Sequence, residues 1–119
     1  MAGTLVANTI NTDTGLFSTN NAYLGIAKAW VCYNAITQTV LNSFNVSSVT
    51  YNGTGAFTVN FTVAFSNANY AVAGSCGVTN GNWMFNKSAP TTANCQINCI
   101  YSGNSYQNDA GVNAIFIGN

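Results

Sequence analysis

At 119 residues the chain is one domain by length, and only 3% of it is charged: Lys28, Lys87, Asp13 and Asp109 are its ionic side chains, with no His, Arg or Glu. General acid–base catalysis needs a tunable acid or base beside the reacting group, and nucleophilic catalysis needs a Ser or Cys next to one, so this composition argues against an enzyme. Two lysines make no basic patch for nucleic acid, no apolar run approaches a membrane span, and 48% hydrophobic residues are too many for a disordered tail.

Residues 1–26 are rich in Thr, Asn and Gly, with isolated apolar positions at Leu5, Val6, Ile10, Leu16 and Phe17. They read as an extended N-terminal arm with turns at Asp13-Thr14-Gly15 and Thr19-Asn20-Asn21. Met1 reads as a native start, and the stretch to Ile10 has neither the basic nor the long apolar region of a secretory signal. From Ala27 onward the pattern becomes short strands. Phe44 to Tyr51 is one. Phe57, Val59, Phe61, Val63 and Phe65 alternate with Thr58, Asn60, Thr62 and Ala64, a period of two that buries one face. Asn52-Gly53-Thr54-Gly55 joins the two as a hairpin signal, since Asn and Gly tolerate positive φ. Ala35 to Leu41, the nearest thing to a helix, is rich in β-branched residues and reads as extended. Further strands follow at Tyr70 to Cys76, Trp83 to Phe85, Cys95 to Tyr101 and Val112 to Ile117. Turn signals about every ten residues predict an all-β fold, an antiparallel β-sandwich over 27–119.

Several blocks occur together in an order that resembles a known module. Ala27-Lys28-Ala29-Trp30-Val31 is followed by Ser43-Phe44-Asn45-Val46-Ser47-Ser48-Val49-Thr50, then by Asn52-Gly53-Thr54-Gly55 and Phe57-Thr58-Val59-Asn60-Phe61. Asn69-Tyr70-Ala71-Val72 and Ile115-Phe116-Ile117-Gly118 continue the style. The sequence is similar to a C-terminal, receptor-binding module of bacteriophage and prophage tail fibres. Where that family often has acids around the Asn-Gly turn, this chain has Tyr51 and Ala56. The resemblance implies a jelly-roll-like sandwich, a homotrimer, and a place on the virion after assembly in the host bacterial cytoplasm. The chain is far shorter than a fibre, so the expectation is a small fibre-like or capsid-decorating protein. Its arm, 1–26, would attach it to capsid or tail proteins or make trimer contacts. The alternative is a tip that recognises host surface glycans. A surface so poor in charge favours self-association in either case.

Individual residues carry narrower expectations. Cys32, Cys76, Cys95 and Cys99 leave buried thiols and disulfides both open. A zinc site draws on close Cys pairs, and here only Cys95 and Cys99 are near neighbours. In one continuous strand those two would lie about 13 Å apart, too far for a disulfide. Trp30 is expected in the core. Trp83, with Asn82, Asn86 and Lys87, is the candidate receptor contact, because a flat aromatic among amides can stack on a sugar ring and bind its hydroxyls. The Asn-x-Ser/Thr sequons at Asn45, Asn52, Asn60 and Asn86 read as products of an Asn-rich composition. No cofactor or metal is expected.

Overall fold

A computed structural model of the chain describes residues 3–4, 6, 9–12, 15–18, 25–77, 83–86, 88–101 and 105–119, with backbone alone at 9–12, 15–18 and 83–86. The described residues form β1 (Thr9–Thr12), β2 (Gly15–Ser18), β3 (Ala27–Asn34), β4 (Thr39–Phe44), β5 (Val46–Gly53), β6 (Ala56–Phe61), β7 (Ala71–Cys76), β8 (Trp83–Asn86), β9 (Asn94–Tyr101), β10 (Ser105–Tyr106) and β11 (Val112–Ile117). Every pairing among them is antiparallel. Sheet I runs β4-β3-β11-β7. Sheet II runs β5-β6-β9, with β10 and β8 also on β9. Asn98 pairs with both Ala56 and Phe85, and Ile100 with both Trp83 and Tyr106, so β8 lies on the opposite side of β9 from β6 and β10.

Alternation makes the core. Ala29, Val31 and Tyr33 of β3 and Val112, Ala114 and Phe116 of β11 are buried, and so are Phe57, Val59 and Phe61 of β6 and Cys95, Ile97 and Cys99 of β9. These are the inner faces of the two sheets, closed into one hydrophobic cluster. At one end Phe61, Phe65, Tyr70 and Phe116 meet ring to ring, with centroids 4.3–6.1 Å apart. The Tyr70 hydroxyl donates to Thr91 O at 2.8 Å, which gives its polar tip a partner inside the aromatic cluster.

Four readings change here. The strand read over Phe44 to Tyr51 is broken at Asn45, where β4 ends and β5 begins in the other sheet. The alternation from Phe57 to Phe65 predicts one long strand, but β6 stops at Phe61. Phe65 still reaches the core, whereas Val63 is 68% exposed. The cause is Asn45, which takes over the backbone of 62–63. Trp30 is half-buried on the outer face of sheet I, because its β3 neighbours Ala29 and Val31 point inward. The predicted arm contains a hairpin: β1 pairs β2 in a sheet of its own. Its turn at Asp13-Thr14, and the Thr19-Asn20-Asn21 turn, lie outside the described residues. At the Asn52–Gly55 hairpin the positive φ values fall on Gly53 and Gly55. A Cβ on Gly55 would sit 2.5 Å from Cys99 O and 2.6 Å from Gln107 N, so both backbone conformation and space demand glycine there.

Candidate functional site

Asn45 lies in the wall of an apolar groove and sets its local geometry. β4 and β5 are one stretch of chain that leaves sheet I and enters sheet II, and Asn45 is the corner between them, with φ 54°. Asn tolerates this left-handed conformation better than most residues. Its side chain then clamps three backbone groups of neighbouring segments. Nδ2 donates to Lys28 O and to Val63 O, each at 3.0 Å, and Oδ1 accepts Val63 N at 2.7 Å. The Asn45 carbonyl also accepts Thr62 N at 3.2 Å. These bonds fix residues 62–63 beside the corner, and a groove of about 560 Å³ lies between the 62–66 segment and the start of β3. Ile26, Phe44, Val63 and Phe65 form its apolar walls, and Lys28 and Asn119 lie on its lining. Ile26, Phe44 and Val63 are 58%, 54% and 68% exposed.

The outer face of sheet I continues this apolar surface. Register sets Phe44 opposite Trp30, Trp30 opposite Ile115, and Ile115 opposite Ala73, a row across all four strands. A shallow depression beside it is lined by Trp30, Cys32, Gly74, Asn113 and Ile115. The outer face of sheet II has the opposite character. There Asn60 Nδ2 donates to Ser48 Oγ and Thr50 Oγ1 at 3.0 Å, Asn52 Nδ2 to Thr58 Oγ1 at 2.7 Å, and Ser88 Oγ to Gln96 Oε1 at 3.3 Å. This is an uncharged ladder of amides and hydroxyls.

The cysteines divide between both expected states. Cys76, at the end of β7, is bridged to Cys99 of β9, with Cα atoms 6.0 Å apart, so the disulfide ties sheet I to sheet II. Cys32 and Cys95 remain thiols. Cys95 and Cys99 lie in one continuous strand, as the reading of Cys95 to Tyr101 as a strand expects, and they are not bridged to each other. Burial pushes the Cys95 thiol above its ordinary range, and a hydrogen bond with Tyr70 partly opposes this. The Tyr70 hydroxyl is raised well above its usual value, first by burial and then by Cys95.

Of the predicted receptor contacts, Trp83 and Asn86 are the two ends of β8, paired with Ile100 and Ile97. Asn82 and Lys87 lie outside the described residues. Asp109 is buried, and its Oδ1 accepts Gly111 N at 3.0 Å while its carbonyl accepts Ala35 N at 2.8 Å. Among the described residues no group of three or more His, Cys, Asp or Glu is placed to hold a metal, and no helix is long and apolar enough to cross a membrane. Neither the corner nor the groove was legible as a site in the sequence. The sequence placed Asn45 inside a strand from Phe44 to Tyr51 and at the head of a sequon, and neither reading marks a corner. No family model, curated protein or solved structure matches the chain.

Proposed function

We propose that the chain is a structural protein of a bacteriophage virion, a small fibre-like or capsid-decorating protein with a jelly-roll-like sandwich. It acts as a homotrimer and attaches to capsid or tail through residues 1–26. One observation supports the self-association: the row Phe44, Trp30, Ile115 and Ala73 crosses a partly exposed outer face of sheet I, beside the exposed Ile26 and Val63. With four ionic side chains in the whole sequence, little charge opposes contact between copies. Burying such a surface against identical copies removes apolar area from water. The resemblance of the ordered blocks from Ala27 to Phe61 to tail-fibre tips supplies the virion context. Light scattering tests assembly: three times the 12.5 kDa chain mass is expected, and a solution of single chains refutes the homotrimer. Purified particles test attachment. Full-length chain should co-purify with them and a variant lacking 1–26 should not.

The uncharged ladder on sheet II favours a second reading, a tip that binds host surface glycans. Sugar hydroxyls match carboxamides and hydroxyls as hydrogen-bond partners. Trp83→Ala should then abolish cell binding while the assembly persists. Unchanged binding rejects Trp83 as the contact.

A further inference from the structure

We infer that the Cys76–Cys99 bridge is a redox latch on β7: closed, it pins the edge strand of sheet I, and opened by a small thiol it lets that strand leave β11. The inference goes beyond the virion reading and does not depend on it. The side chains of β7 hold it weakly. β3 and β11 of the same sheet each bury three, at Ala29, Val31 and Tyr33 and at Val112, Ala114 and Phe116. β7 buries one, and that one is Cys76. Ala71, Ala73, Gly74 and Ser75 are exposed, and Val72 is half-buried. So little apolar area leaves water along this strand that the bridge is its principal side-chain anchor.

The backbone of β7 is held from one side. Among the described residues it pairs with β11 alone, from Cys76 opposite Val112 to Ala71 opposite Ile117, and it is an edge of sheet I. Its two ends differ. Tyr70, just before it, is locked into the core: its ring stacks on Phe65 at 4.3 Å and its hydroxyl donates to Thr91 O at 2.8 Å. Just after it, Gly77 N donates to Gly111 O at 3.3 Å, and Gly77 has φ 114°. Elements with few buried apolar contacts open locally at a lower free energy than the core. Release of β7 therefore starts at the Cys76 end and hinges at Tyr70.

Opening is a thiol–disulfide exchange. The thiolate of a small thiol attacks one sulfur, the S–S bond breaks through a mixed disulfide, and a second thiol resolves it. Two electrons and two protons end on Cys76 and Cys99, and the reagent leaves as its own disulfide. A small-molecule disulfide closes the bridge by the reverse exchange. Cys76 is 3% exposed and Cys99 0%, so attack waits for fraying at that end of β7. Once β7 leaves, the backbone groups of Val112–Ile117 along that edge are unpaired, and sheet I becomes an acceptor for another strand. A reducing compartment thus keeps the edge available, and an oxidising one shuts it.

Pulse labelling with N-ethylmaleimide, read by peptide mass spectrometry, tests the latch on full-length Cys99→Ala without reductant. The bridge cannot form in that variant, and Cys76 reports where β7 is. Cys32, half-buried on the outer face of sheet I, and Cys95, fully buried in β9, set the two reference rates. Cys76 is expected to label within about tenfold of Cys32, while Cys95 stays on the order of 100-fold slower. A Cys76 protected as well as Cys95 shows that β7 stays docked without the bridge, and overturns the latch. Cys76 and Cys95 labelled together show that the bridge holds the whole sandwich, which also overturns it. If the variant unfolds, hydrogen exchange on wild type before and after dithiothreitol decides the matter. Amides of 72–76 should then exchange about tenfold faster or more after reduction, with those of β6 and β9 unchanged. Equal acceleration throughout, or none, overturns the latch. Air-oxidised wild type that shows all four cysteines as thiols when unfolded without reductant overturns the bridge itself.

Discussion

Asn45 does at one position what a bulge and a turn usually share. It supplies a left-handed backbone and a side chain that satisfies three backbone groups. Asn45→Ala removes those bonds and leaves a Cβ residue in a strained conformation, so it should cost about 2–4 kcal/mol in urea unfolding. Asn45→Gly relieves the strain but not the lost bonds, and its cost should be smaller by about 1 kcal/mol. Tyr33 presents the reverse case. Its ring packs edge-on to Phe57 at 5.4 Å, but its buried hydroxyl has no hydrogen-bond partner among the described residues. Tyr33→Phe should therefore be neutral or raise stability by about 1 kcal/mol in the same assay, while any loss above 1 kcal/mol would mean that the hydroxyl is satisfied. Neither role is written in the local sequence. An Asn after Phe44 and a Tyr in an alternating strand look ordinary until the chain returns to meet them.

At the scale of elements the sequence was readable wherever alternation was clean. Strands near Phe57, Cys95 and Val112 follow from period two, and the Asn52–Gly55 hairpin follows from its glycines. β6 was over-extended because Val63 and Phe65 keep the period while Asn45, distant in sequence, captures the backbone at Val63. β10 was missed because its two residues, Ser105 and Tyr106, are too few for any period to register. Which cysteines pair was also closed to sequence reading, since it depends on the end of β7 lying over β9. The Cys76–Cys99 bridge spans a sequence separation of 23. Chain-entropy reasoning assigns a closed loop of that size about 3 kcal/mol. Cys76→Ser, or reduction of wild type, should lower stability by that order, and reductant should then have no further effect on the Cys76→Ser variant. An equal response of both proteins to reductant would contradict the pairing.

For the whole molecule, the absence of His removes the usual titration near neutrality. The raised groups act at alkaline pH instead. Burial raises Tyr33, Tyr70 and Cys95 above their ordinary values of 10.0, 10.0 and 9.0. Below about pH 9 these groups hold their protons in folded and unfolded chains alike, and above it the unfolded chain releases them first, so folding stability should decline. Tyr51 runs the other way, lowered by hydrogen bonds from Asn108 and Thr54, and it offsets part of the decline. Thermal melts from pH 7 to 11 should show a midpoint falling above pH 9, and a rising midpoint would contradict the burial of Tyr70 and Cys95. That two sheets exist was legible from turn spacing; their strand order was not, because pairing partners lie far apart in sequence. That order has a kinetic consequence. β3 lies between β4 and β11 in sheet I, so the seam at the centre of the sheet joins residues 27–34 to residues 112–117. A nascent chain on the ribosome can form the β3–β4 and β5–β6 hairpins early, but it cannot close that seam until Ile117 has emerged. Until then the faces around Val31 and Tyr33 lack their β11 partner, folding waits on long-range loop closure, and a chain cut short before β11 keeps an adhesive open edge.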